Sequence, residues 1–250
     1  MKKTVRISLF FSIFTALFAT SVSYAQEKIN AAVAANYIKP FKELIQVYEA
    51  RTGVRVEATF TSTGKLYGQI TNGAPYDLFL AADEKRPALL AESGAAEPPF
   101  VYAKGEVILW SAKKDFCGEK NWTVKLKKNH TGKIAIANPV TAPYGTAAKT
   151  ALEKAGMMTY VESKIVTAQD IAQAFQYAES EAVDAGFCAL SAAYTEQGKK
   201  GCFYKVKEAP QIIQSACILK RAENKKAVEK FARFLVSPEA VKIKKKYGYR

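Results

Sequence analysis

Two spacings of apolar residues alternate along the chain. Residues 29–34 form a short apolar run that reads as a strand. From Asn36 to Ala50, Phe41, Leu44, Ile45 and Tyr48 recur at helical spacing, and Arg51-Thr52-Gly53 ends the helix they predict. Val54 to Phe60 alternates apolar and polar positions, as a strand does. Ser62-Thr63-Gly64 turns the chain into a helix from Lys65 to about Thr71, which Asn72-Gly73-Ala74-Pro75 breaks. A buried strand follows over Tyr76 to Ala82, then a helix over Arg86 to Glu92. The same order continues: strands at Val107 to Ser111 and Lys133 to Ala137, a loop through Asn138-Pro139 and Ala142-Pro143-Tyr144-Gly145, and a helix over Thr146 to Ala155. A short strand at Ile165-Val166, a helix over Ala168 to Ala178 and a strand over Ala185 to Ala189 come next. Strands at Cys202 to Lys207 and Ser215 to Lys220 precede a helix or helix pair over Lys225 to Tyr247. Repeated strand–helix–strand order predicts an α/β fold with largely parallel sheets.

The first 25 residues stand outside this pattern. Lys2, Lys3 and Arg6 precede an apolar stretch from Ile7 to about Ala19, and Ser23-Tyr24-Ala25 supplies small residues at a cleavage site. This is the layout of a secretory leader cut after Ala25, and the apolar run is shorter than the ~20 residues of a membrane span. The expected product is exported and periplasmic. Export changes the reading of Cys117, Cys188, Cys202 and Cys217, which then meet an oxidising compartment. None has CxxC spacing. Cys188 and Cys202, in two apolar segments, are the favoured pair, with buried free thiols as the alternative.

The formal net charge of +14 invites a nucleic-acid reading. The lysines are scattered or sit on helix faces, without interleaved aromatics or a reader motif, so a solvated basic surface that attracts small anions is expected instead. The chain has one histidine, His130, which excludes a multi-histidine metal site. No Gly-x-Ser-x-Gly occurs and no nucleophile–base pair stands out, so an enzyme is not expected.

Four segments open predicted helices after strands: Ala35-Asn36, Ser62-Thr63-Gly64, Pro143-Tyr144-Gly145 and Gln169-Asp170-Ile171. In an open α/β sheet these segments face the ligand crevice. Helices starting there aim free N–H groups and positive dipole ends into it, which makes an anion site without any lysine. Taken singly, Asn36, Thr63 and Gln169 or Asp170 also read as plain helix caps. Asp77 and Asp83 read as structural hydrogen-bond acceptors, and Lys65 as a solvated residue beside the site.

The run from Phe60 to Ile70, with Ser62-Thr63-Gly64-Lys65, and the run Gly73-Ala74-Pro75-Tyr76-Asp77 to Asp83 resemble the periplasmic molybdate-binding proteins of ABC transporters. So do Ala34-Ala35-Asn36, Asn138-Pro139 with Pro143-Tyr144-Gly145-Thr146, Ala168-Gln169-Asp170-Ile171, and Ser237-Pro238-Glu239-Ala240 before Lys246-Tyr247-Gly248-Tyr249. The resemblance covers the mature chain in order. It implies a two-lobed type II periplasmic-binding-protein fold, each lobe a mixed, mostly parallel sheet flanked by helices, with two crossover strands as hinge. The crossings fall near residues 104–108 and 212–217. Lobe 1 is expected over residues 26–104 plus 215–250, and lobe 2 over 105–214.

By position, the resemblance puts oxyanion-binding side chains at Asn36 and Thr63 and binding backbone amides at Tyr144 and Ile171, with Gly64 alongside. The family's tyrosine donor falls on Ala189, so Tyr144, Ser191, Tyr194 or a water is expected to make up that donor. The implied ligand is molybdate or tungstate, with no further cofactor and no protein group bonded to the metal. Another tetrahedral oxyanion, sulfate or chromate, is the alternative; an iron-binding relative is less favoured, since no adjacent tyrosine pair occurs. A monomer that delivers its ligand to an inner-membrane permease is the implied partner arrangement.

Overall fold

A computed structural model describes residues 27–128 and 131–250; the leader, its cleavage site and His130 lie outside the described residues. Two five-stranded mixed sheets form the two halves of the molecule. The first contains β1 (Lys28–Ala34), β2 (Arg55–Thr61), β3 (Leu78–Leu80), β4 (Phe100–Gly105) and β10 (Ile212–Ile218), ordered β2-β1-β3-β10-β4. The second contains β5 (Val107–Ser111), β6 (Ile134–Ala137), β7 (Ile165–Ala168), β8 (Ala185–Ala189) and β9 (Cys202–Lys205), ordered β7-β6-β8-β5-β9. The chain passes from one sheet to the other at Glu106 and returns through residues 206–211.

Each sheet keeps a parallel core and antiparallel additions. β1 pairs in parallel with β2 and β3, and β6 with β7 and β8. β10 runs antiparallel to β3 and β4, and β5 antiparallel to β8 and β9. A parallel strand covered on both faces needs apolar residues on both. In β1, Ile29, Ala31 and Val33 pack with Phe41, Leu44 and Phe231, while Ala32 faces Leu66, Phe79 and Leu90. The second half has one core, around Trp110, Trp122, Ile134, Phe187 and Leu152.

The helices follow the expected order with shifted starts. A short 3-10 turn at Ala35–Tyr37 leads into α1 (Ile38–Thr52); α2 spans Thr63–Thr71 and α3 Lys85–Glu92. The second half contributes α4 (Trp122–Leu126), α5 (Pro143–Lys154), α6 (Met158–Val161), α7 (Ile171–Glu179) and α8 (Leu190–Ala193), and the chain ends in α9 (Lys225–Leu235) and α10 (Pro238–Lys246). Gly53 closes α1 in the left-handed conformation, with φ 70° and its N–H on Glu49 O, the geometry for which glycine is suited. Among the described residues no helix is long and apolar enough to cross a membrane.

The cysteine pairing differs from the expectation. Cys117 and Cys202 are bonded, while Cys188 and Cys217 are buried free thiols. The reason lies in the strand order. Cys188 on β8 pairs with Ile108, and Cys202 on β9 pairs with Ser111, on the opposite edge of β5. Two strand spacings of ~4.8 Å separate them, beyond the ~7 Å a disulfide can bridge. Cys117 instead lies in the 3-10 segment Lys114–Gly118, with its Cα 6.1 Å from that of Cys202. The bond joins positions 85 residues apart. Replacing both cysteines by serine is expected to lower the unfolding free energy by about 3–5 kcal/mol in urea titrations. Ligand affinity should stay within twofold, and a larger loss would tie this bond to the binding site.

Candidate functional site

The four helix-opening segments meet at one small cavity between the two halves. It measures about 190 Å³ with the part open to solvent counted in, and is lined by Ala34, Ala35, Asn36, Ser62, Thr63 and Ala82 from the first half. Ala142, Pro143, Tyr144, Asp170 and Ile171 line it from the second. The convergence follows from the parallel pairs. β1 and β2 end together at Ala34 and Thr61, and β6 and β7 end together at Ala137 and Ala168. The helices after these four strands therefore all start at the crevice between the sheets.

The helix starts are left open toward it. Ser62 occupies the N-cap of α2, yet its side chain caps nothing; its Oγ is buried without a hydrogen-bond partner. A serine here usually satisfies a helix N–H, so an idle buried hydroxyl at this point marks a place for another acceptor. α5 begins with Pro143 and has no side-chain cap, so the Tyr144 amide lacks an intrahelical partner. Asp170 caps α7 through Oδ1, accepting from Ala172 N at 3.0 Å and Gln173 N at 3.1 Å. That cap does not use the Ile171 N–H. Neither α2 nor α5 has an acidic residue in its first turn, so their positive dipole ends are uncompensated.

Thr63 Oγ1 accepts the Ala82 N–H at 3.0 Å. Its own proton therefore points elsewhere and is free to donate. Thr63 is 1% exposed and Ser62 3%. No lysine or arginine lines the cavity, and Asp170 is its one charged lining residue. Such a place suits a small anion held by dipoles and neutral donors, because a buried dianion needs every oxygen hydrogen-bonded. Among the described residues no cluster of three or more His, Cys, Asp or Glu side chains is placed to hold a metal ion.

Behind Asn36 lies a buried network. Asn36 Nδ2 donates to Gln214 Oε1 at 2.7 Å and to Tyr249 OH at 3.0 Å, while Asn36 Oδ1 is buried without a partner. Tyr249 OH donates to Asn36 O at 2.8 Å and lies 3.1 Å from Ser191 Oγ, which also donates to Asn36 O at 3.1 Å. Gln214 Nε2 donates to Tyr144 OH at 3.3 Å, and Tyr102 OH donates to Gln214 Oε1 at 3.0 Å. Burial pushes the phenols of Tyr102 and Tyr144 well above their ordinary value and raises that of Tyr249. All three therefore stay neutral hydroxyls within the network. Gly105 on β4 makes room for this arrangement: a Cβ there would lie 2.1 Å from Tyr144 OH.

Amide nitrogen and oxygen are nearly equivalent in shape, so the network fixes which one faces the cavity. In the arrangement above Asn36 Oδ1 is the idle atom, and a carbonyl oxygen repels an anion. Turning the Asn36 and Gln214 amides together gives a second consistent arrangement. Gln214 Nε2 then donates to Asn36 Oδ1 and to Tyr102 OH, whose own proton goes to Ala81 O at 3.1 Å. Tyr249 OH turns its proton from Asn36 O to Asn36 Oδ1, leaving Asn36 O to Ser191 Oγ. Gln214 Oε1 accepts from Tyr144 OH, and Asn36 Nδ2 becomes the unpartnered donor.

The structure brings Asn36, Thr63, Tyr144 and Ile171 to one cavity. The residues expected to make up the absent tyrosine donor are spread more widely. Ala189 and Ser191 line an adjoining larger groove with Asn36 and Ile171, Ser191 being engaged with Asn36 O. Tyr194 is 43% exposed and lines neither space; its ring lies near Gly248. Gly64 lies beside the cavity, its N–H held by Thr141 O at 2.8 Å. Asp77 accepts from Asn30 N at 2.7 Å and Asp83 pairs with Arg86, both in the structural roles expected. Ser62, Gln214 and Tyr249 join this arrangement from outside the set of expected site residues. Ser62 carried a signal in standing just before Thr63 at a helix start; Gln214 carried only its polarity inside an apolar run.

A model for bacterial extracellular solute-binding proteins matches residues 29–250. The chain is 37% identical over 227 residues to the molybdate-binding protein ModA of Rhodobacter capsulatus, covering 90% of this chain and 89% of that one. It is 38% identical over 227 residues to ModA of Azotobacter vinelandii, covering 89% of each. The solved periplasmic molybdate-binding protein of Azotobacter vinelandii superposes with a TM-score of 0.82 at 35% identity, over 89% of this chain and 98% of that one. The two-sheet fold, the crevice of open helix starts and these matches place the chain in the bacterial extracellular solute-binding protein family, to which it belongs.

Proposed function

We propose that this protein captures molybdate, and its near-isostere tungstate, in the interlobe cavity and hands it to an inner-membrane ABC importer. The supporting observation is the lining: four helix starts, an idle buried Ser62 hydroxyl and no lysine or arginine. The proposed ligands to the anion are the side chains of Asn36, Ser62 and Thr63 and the backbone amides of Tyr144 and Ile171. Neutral donors cannot accept a proton, so an oxyanion that still carries one is disfavoured. Sulfate, also fully ionised, is refused by size, since shorter bonds leave it unable to touch every donor.

In this reading residues 26–104 plus 215–250 form one lobe and 105–214 the other. The Glu106 passage and the returning segment up to the bulge at Gln214/Ser215 act as hinge. The protein is a periplasmic monomer released from its leader after Ala25. It performs no chemistry on its cargo and needs no cofactor.

Molybdate or tungstate should raise the melting temperature of the purified protein, because a ligand that binds only the folded state stabilises it. At a hundredfold excess over the dissociation constant the gain is about 2.7 kcal/mol. A shift with sulfate and none with molybdate would overturn the ligand assignment.

A further inference from the structure

Beyond the contacts that line the cavity, a second set of bonds joins the two lobes. Gly64 N–H donates to Thr141 O at 2.8 Å. Arg86 Nη2 donates to Val140 O at 3.2 Å. Gly64 and Arg86 belong to α2 and α3 of the first lobe, and Val140 and Thr141 to the loop before α5 in the second. None of the four lines the cavity. Arg86 is held ready on its own lobe: its Nη1 pairs with Asp83 Oδ2, and its backbone N donates to Asp83 Oδ1 at 2.9 Å. A guanidinium fixed in this way loses little rotamer freedom when it meets the opposite carbonyl.

The approach leaves little room for a side chain, and a β-carbon would press the two lobes apart by a few tenths of an ångström. A Cβ on Gly64 would lie 3.0 Å from both Cα and O of Thr141 and 3.1 Å from Arg86 Nη2. Gly64 sits inside α2 and its φ is not positive. Its backbone conformation therefore gives no reason for glycine; the opposite lobe does. We propose that Gly64 and Arg86 form a clasp that locks the lobes shut over the bound anion, acting as positioning residues that set its release rate without touching it. The proposal rests on the oxyanion-capture reading.

Contacts made only in the closed form slow departure and leave arrival nearly unchanged. Losing a charge-assisted hydrogen bond of this kind corresponds to about a tenfold change. Arg86→Ala should therefore raise the release rate of molybdate about tenfold in stopped-flow displacement. Arg86→Lys, which keeps the charge but not the fork, should fall between. Gly64→Ala gives the sharper test, because its two effects have opposite signs. Alanine in a helix is favoured over glycine, so the melting temperature of the ligand-free protein should hold or rise. The added methyl meets Thr141, so release should quicken by about tenfold or more. A role confined to the local fold predicts affinity that follows stability.

Unchanged release rates in both Arg86→Ala and Gly64→Ala would overturn the clasp. If the wild-type protein binds neither molybdate nor tungstate, the capture reading fails separately. The clasp is then decided by the interlobe distance between spin labels at the exposed positions Glu92→Cys and Lys154→Cys. A longer distance with Gly64→Ala supports it, and an unchanged one removes it.

Discussion

Ile171→Pro is expected to weaken molybdate binding by roughly 10- to 150-fold while leaving the fold in place. Ile171 is the first residue of α7, where proline is tolerated because its missing N–H has no intrahelical partner and its fixed φ suits the helix. Asp170 before it is already extended, with φ −152° and ψ 179°, the region that a following proline demands. The Asp170 cap on Ala172 and Gln173 also survives. The substitution thus deletes one backbone donor and little else of the helix. It also removes an Ile side chain that is 5% exposed, so Ile171→Ala is the matched control. Alanine loses the same packing and keeps the N–H. Titration calorimetry on both should find near-normal affinity for alanine and the large loss for proline. Equal affinities in the two would remove the Ile171 amide from the site.

The second large effect is expected at the start of α2, where two adjacent hydroxyls should behave differently. Thr63→Val removes a donor and also strands the Ala82 N–H that Thr63 Oγ1 accepts. A buried unsatisfied amide costs about 1–3 kcal/mol, so this variant should lose both stability and affinity, the latter by roughly 10- to 100-fold. Thr63→Ser should restore both. Ser62→Ala removes a hydroxyl that satisfies nothing within the protein. Its ligand-free form should melt at the wild-type temperature or higher, while the shift produced by molybdate shrinks. Thermal melts with and without ligand read both quantities. A Ser62→Ala protein that is destabilised but binds normally would show a structural hydroxyl and take Ser62 out of the anion's shell.

Both predictions depend on how strand ends meet in space, and much of that was legible beforehand. Ala35-Asn36, Ser62-Thr63-Gly64, Pro143-Tyr144-Gly145 and Gln169-Asp170-Ile171 read as helix openings, because each joins turn-forming or capping residues to an apolar period. The structure starts helices within or just after each. Boundaries moved where capping chemistry overrode the periodic pattern. α5 begins at Pro143 instead of Thr146, since proline fits a first turn. β7 runs to Ala168, and α7 waits for the Asp170 cap.

What stayed hidden was set by long-range pairing. β4 follows Pro98-Pro99 and has no strong alternation, and it is held in place by β10, over a hundred residues later. The Cys117–Cys202 bond depends on which edge of β5 each flanking strand takes, and no local pattern records that. Tyr249 reaches Asn36 because the last residues return to the hinge. Arg250 and Lys104 exchange backbone hydrogen bonds, and Arg250 pairs with Glu106 at 2.8 Å. The tail motif Tyr247-Gly248-Tyr249 was visible as a resemblance, but its hydroxyl partner lies 213 residues away.

The most direct measurement is a crystal structure of the protein grown with molybdate, with anomalous diffraction recorded at the molybdenum edge. A single strong peak is predicted in the crevice bounded by Asn36, Ser62, Thr63, Tyr144 and Ile171. The oxygens around it should be met by hydroxyl, amide and backbone N–H groups at hydrogen-bonding distance. A peak seated among lysines or carboxylates elsewhere, or a crevice holding no molybdenum at saturating ligand, would contradict the account.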